Sequence, residues 1–153
     1  MIAAMTALAG CATTGAGPGS GQPAQAAVAP GMNAAGEVVD SSQVSGGSGR
    51  MVKGIGGWEG EITGKFAPGS RFTRLQIGMP RKQVTDLIGS PTDQGAYVTG
   101  KVFIPFYFGT DRYRFELVYK GQGRLVFAGG SLGDFTSGHL IWIINNPNES
   151  GYR

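Results

Sequence analysis

From Ala12 to Gly49 the chain contains no Phe, Trp, Tyr, Leu or Ile, and every aromatic residue lies at Trp58 or beyond. Within 153 residues, this imbalance limits where a hydrophobic core can form more than any other feature. A stretch of Gly, Ala, Ser, Pro and Thr with nothing large to bury cannot offset the entropy lost on ordering it. Residues 11–50 are therefore expected to be a disordered tether. The core must come from roughly the C-terminal two thirds of the chain, close to the size at which one modest core becomes self-sufficient. In residues 51–69, Gly54, Gly56, Gly57, Gly60 and Gly64 interrupt Val52, Ile55, Trp58 and Ile62. That segment reads as a partly ordered glycine-rich arm, either loose or a short strand that docks Trp58. Residues 70–153 are left to form the folded module.

Charge is divided along the same line. All 13 Lys and Arg residues lie from Arg50 onward, and Glu37 and Asp40 are the only acids before it. The C-terminal part therefore has a mild basic excess, which suits solvated surface, anionic headgroups or an acidic protein face. No basic run exceeds the pair Arg81-Lys82, so nucleic acid is not an expected partner.

Within the module, Ser70 to Ile77 can form a short helix or turn that places Phe72 and Leu75 on one side. Gly78 breaks it. Pro80 suits a first helical position, because its φ is preset and its missing N–H would be unpaired there. Val84, Leu87 and Ile88 then fall on one helical stripe, Gly89 supplies the stop and Pro91 forbids continuation. Val102 to Phe108 reads as an aromatic strand kept to an edge by Pro105. Arg112 to Lys120 alternates, with Tyr113, Phe115, Leu117 and Tyr119 facing one way. Gly121-Gln122-Gly123 turns into a strand over Arg124 to Ala128, and His139 to Ile144 is either a further strand or a packed arm. Helices first and strands after indicate an α+β fold.

Two resemblances rest on these residues. Leu8-Ala9-Gly10-Cys11 resembles the lipobox of bacterial lipoproteins, in which a branched apolar residue and two small ones precede the lipidated cysteine. It implies a leader over residues 1–10, incomplete at its basic end since no Lys or Arg precedes the apolar run. It also implies lipid attachment at Cys11 and, with Ala12 rather than Asp following, sorting to the outer membrane. The segment from Leu75 to Asp93 resembles the signature of the SmpA/OmlA (BamE-like) lipoproteins, with its Gly78-Met79 lead-in, Gln83-Val84 on the helix and Leu87-Ile88-Gly89-Ser90-Pro91 exit. This resemblance extends to about Phe72 to Phe127. It implies two short helices packed on a three-stranded antiparallel sheet, and a periplasm-facing protein that supports assembly of β-barrel outer-membrane proteins. The long tether and the tail after Leu132 depart from the short members.

Catalysis is not expected. The only histidine is His139, at a strand start, where a surface residue is commoner than a base, and the only thiol is Cys11. No His, Cys or carboxylate spacing suggests a metal, and Gly54 to Gly60 lacks the Lys-Ser/Thr ending of a phosphate loop. No cofactor is expected. Binding is the better class: Phe106, Tyr107 and Phe108 beside Arg112 and Arg114 would suit a protein or headgroup interface. The expected partners are the membrane through its lipid, barrel-assembly proteins by resemblance, and anionic phospholipid headgroups. The alternatives are a lipoprotein of the same fold serving another envelope machine, and an inhibitor-like module that binds a periplasmic enzyme.

Overall fold

The computed structural model describes residues 27–98, 113–129 and 137–153. Its centre is a six-stranded sheet built from β1 (Arg50–Lys53), β2 (Glu59–Thr63), β3 (Asp93–Val98), β4 (Tyr113–Tyr119), β5 (Gly123–Ala128) and β6 (His139–Asn145). The spatial order is β1-β2-β6-β5-β4-β3, with every neighbouring pair antiparallel except β2 and β6, which run parallel. One α-helix, α1 (Arg81–Ile88), and a 3-10 turn at Arg71–Arg74 pack on one face.

This overturns the expectation of two helices on a three-stranded antiparallel sheet. Of the three expected strands, Arg112–Lys120 and Arg124–Ala128 correspond to β4 and β5, while Val102–Phe108 lies outside the described residues. The glycine-rich arm supplies β1 and β2, and the C-terminal tail supplies β6 in the sheet interior. The first expected helix is a single 3-10 turn capped by the Ser70 side chain, which accepts from Phe72 N–H. Its bonds span three residues, Thr73 Oγ1 donating to Ser70 O at 2.7 Å and Leu75 N to Phe72 O at 3.0 Å, and the chain leaves extended at Leu75, which ends the turn. What it does supply is Phe72, fully buried edge-to-face against Tyr119 at 5.6 Å between ring centres.

The expected α1 is present, with Pro80 at its cap in an extended conformation and Gly89 ending it at φ 89°. Val84 and Ile88 are buried, whereas Leu87, expected on the same stripe, is 40% exposed. The principal core joins Phe72, Leu75, Ile77, Met79, Val84 and Ile88 to Phe115, Leu117 and Tyr119 of β4, Leu125 and Phe127 of β5, and Leu140 and Ile143 of β6.

Gly78 and its neighbours stitch the lead-in of α1 to the sheet. Gly78 N donates to Leu140 O at 2.7 Å, Leu140 N to Met79 O at 2.9 Å, and Arg81 N to Gly138 O at 3.0 Å. Gly78 sits at φ 88°, and a Cβ there would run into Ile55 O, so only glycine fits this crossing.

The opposite face carries a second, smaller core of Val38, Val126, Trp142 and Ile144, with Met32, Val44 and Ile141 against it. Val38 comes from the segment read as tether. Residues 27–49, read from composition as part of a disordered tether, lie over this face through a series of turns. Met32, Val38 and Val44 bring the apolar contact, and the polar residues between them satisfy the backbone locally. Asn33 Oδ1 accepts from Ala35 N and Glu37 N, and Asp40 Oδ1 accepts from Ser42 N and Ser42 Oγ. These Ser42 bonds hold the Asp40 carboxyl below the usual carboxylate range.

Candidate functional site

The pairing of β5 with β6 breaks register once. Val126 opposes Trp142 and Phe127 opposes Leu140, which leaves Ile141 as an extra residue on β6. This bulge puts Ile141 and Trp142 on the same face, the one away from α1. It falls where β6 changes its outer neighbour, from the Pro80 bridge at His139 to β2 at Trp142. Below the covering segment these two side chains form the floor of an open groove of about 310 Å³, walled by Met51, Trp58, Glu59, Gly60, Glu61, Arg114 and Ala128. Gly60 is required here, because a Cβ would meet Ile141 O.

Side-chain contacts hold the groove on three sides. Trp142 Nε1 donates to Thr63 Oγ1 at 2.9 Å, which fixes the indole across β2. Trp58 lies flat on His139, with ring centres 4.6 Å apart and planes 15° from parallel. The buried Glu61 carboxylate accepts from Gly47 N at 2.7 Å, from Gly49 N, and from Thr63 Oγ1 at 3.0 Å. Charge-assisted bonds of this kind are roughly twice as strong as neutral ones, so Glu61 ties the end of the covering segment to β2.

The other end of this face is closed by charge. Arg124 on β5 donates from Nη1 to Glu116 Oε1 at 2.9 Å, and from Nε and Nη2 to the two oxygens of Glu149 at 3.1 and 3.2 Å. Burial disfavours the guanidinium charge, but Glu149 and Glu116 outweigh it, and the Arg124 pKa is raised. Asn146 Nδ2 donates to Ser41 Oγ at 2.9 Å, joining the C-terminal segment to the N-terminal one. Farther along, Arg153 N donates to Asp93 Oδ2. That bond and the one from Gln94 N lower the Asp93 pKa.

Of the residues expected to bind a partner, Arg114 alone falls among those described. It is half-buried on β4 and forms one wall of the groove. Phe106, Tyr107, Phe108 and Arg112, and the lipid-attachment residue Cys11, lie outside the described residues. His139, read as a surface residue, is half-buried beneath Trp58. Sequence reasoning missed Met51, Glu61 and Ile141 as groove residues. The signals were a lone Trp within a glycine-rich run, and Ile141-Trp142-Ile143-Ile144, four apolar residues in succession that leave neither face of the strand for solvent. Among the described residues no group of three His, Cys, Asp or Glu side chains is placed to hold a metal ion, and no helix is long and apolar enough to cross a membrane.

The fold and the groove together define a small mixed-sheet module with an apolar cleft beside an edge strand. Comparison of the chain with protein-family models, with curated proteins and with solved structures gave no match.

Proposed function

We propose that this protein is a lipid-anchored, non-enzymatic lipoprotein of the outer membrane, facing the periplasm, whose sheet module docks on other proteins. The observation that carries the docking role is the open groove over Ile141 and Trp142, which adjoins strand β1 and sets Met51 and Trp58 beside the charged Glu59, Glu61 and Arg114. Aromatic residues, Met and Arg are the side chains that protein-binding surfaces concentrate. The anchor rests on Leu8-Ala9-Gly10-Cys11, and the partner class, the β-barrel assembly machinery, rests on the resemblance of Leu75 to Asp93.

Chain length supports a module held near its membrane. Cys11 and Ala27 are sixteen residues apart in sequence, and no conformation stretches that beyond about 55 Å. With Cys11 in the bilayer, Ala27, where the described fold begins, stays within that distance of it.

The test is isolation of the tagged full chain from detergent-solubilised membranes. Recovery with a barrel-assembly subunit, lost when Cys11→Ser releases the chain from the membrane fraction, is the expected result. Recovery with no such subunit would remove the assembly role, and a Cys11→Ser chain that stays in the membrane fraction would remove the anchor.

A further inference from the structure

β1 forms one edge of the sheet, and its outward side has no strand neighbour among the described residues. Gly54 N donates to Trp58 O, and hydrogen-bonded and non-bonded positions alternate along an antiparallel pair. Counting back from Gly54, the backbone groups of Val52 and Arg50 face β2, and those of Met51 and Lys53 face outward. The Met51 side chain is 67% exposed and borders the groove over Ile141 and Trp142. Arg50 and Lys53 are exposed and form no ion pair among the described residues, even though Lys53 stands opposite Glu59 in register.

Cations on a sheet edge commonly serve to prevent unwanted pairing. An edge built only for that purpose has no use for an exposed methionine beside an aromatic cleft. Here the four residues alternate in a way that specifies a complement. Arg50 and Val52 share the face of α1, and Met51 and Lys53 share the face of the groove. Residues directly opposite one another in a sheet lie on the same face.

We propose that β1 receives an extended segment of a partner protein as an additional strand, with the local pattern acid-apolar-apolar-acid. The acids lie opposite Arg50 and Lys53, and the apolar pair lies opposite Met51 and Val52, with the one opposite Met51 entering the groove. The pattern reads the same in either direction, so it holds for a parallel or an antiparallel partner. Strand addition of this type takes affinity from the main chain and specificity from alternate side chains. The inference rests on the reading of this module as a docking domain and names the chemistry of what docks.

The test titrates the full chain in detergent micelles with fluorescein-labelled hexapeptides, Ser-Glu-Val-Phe-Glu-Ser and its counterpart with Lys in place of Glu, followed by fluorescence polarisation. The acidic peptide should bind at least about tenfold more tightly than the basic one, and Lys53→Glu should narrow or invert that ratio. Met51→Pro removes an outward N–H without breaking the β1–β2 ladder, and should abolish binding. Should that variant misfold, N-methylating the peptide backbone at alternate residues blocks strand pairing without altering the protein, and should likewise abolish binding.

Equal binding of the N-methylated peptide, equal binding of the basic peptide, or no binding of the acidic peptide at millimolar concentration would each overturn the proposal. A dimer of the full chain that Met51→Pro converts to monomer would assign the edge to a second copy and overturn it as well. Peptide binding together with failed recovery of a barrel-assembly subunit would leave this surface standing and remove only the partner named above.

Discussion

Val38→Asp should detach the covering segment while leaving the sheet folded. Val38 is 2% exposed, against Val126, Trp142 and Ile144. Burying a valine side chain contributes about 1.5–3 kcal/mol. An aspartate in its place loses that and adds the cost of an unpaired buried charge, several kcal/mol more unless the segment leaves. Detachment avoids the second cost, because the principal core on the other face does not include Val38. A loss of at least about 3 kcal/mol raises the detached fraction by about 100-fold or more. Limited elastase digestion followed by mass spectrometry reads this directly: Ala34, Ala35 and Val39 are exposed, but a protease needs an extended chain, which the turns around them do not offer while Val38 is docked. Cleavage between 28 and 45 should accelerate by that factor, and Trp142 emission should shift to the red. Cuts should stop short of Gly47, where Glu61 still holds the backbone. Unchanged digestion would show that Val38 does not hold the segment. Loss of the whole fold in one transition would show that the two faces are not separable.

Two further outcomes follow from the charged and phenolic groups. Arg124→Met leaves the buried Glu149 and the half-buried Glu116 without their cation and should lower stability by about 3–5 kcal/mol in urea melts; adding Glu149→Gln should restore a large part of the loss. Burial pushes the Tyr119 pKa up to about 12, only partly opposed by Arg71 and Arg81, and its hydroxyl donates to Gly89 O at 3.0 Å. A folded pKa above the unfolded value of about 10 means that this contribution is complete below pH 10 and disappears as pH rises towards 12. Tyr119→Phe should flatten stability across that window at a cost near neutrality of about 0.5–1.5 kcal/mol, measured by denaturant melts at stepped pH.

Local signals in the sequence were legible wherever local physics decides the structure. The glycine stop at Gly89, the alternation of Tyr113, Phe115, Leu117 and Tyr119, and the turn at Gly121 to Gly123 all appear where the pattern placed them. Long-range pairing was not legible. β2 joins β6 through partners such as Glu61 and Trp142, about eighty residues apart, and nothing local to Glu59–Thr63 announces a parallel neighbour. His139 to Ile144 was legible as a strand or a packed arm, but its unbroken apolar run showed neither the bulge at Ile141 nor its place inside the sheet. The covering segment was hidden because it is held by three apolar residues and by side chains that cap its own backbone, a device that composition averages away. The groove inherits both difficulties, since its floor is the bulge and one of its walls is the glycine-rich hairpin.

A photo-reactive residue in place of Met51, in the lipidated full chain and in intact cells, tests the docking reading most directly. A discrete protein adduct in the membrane fraction is expected, lost when Cys11→Ser displaces the chain or when Lys53→Glu reverses the edge charge. An adduct of unchanged yield in both variants, or cross-linking to lipid alone, would contradict that reading.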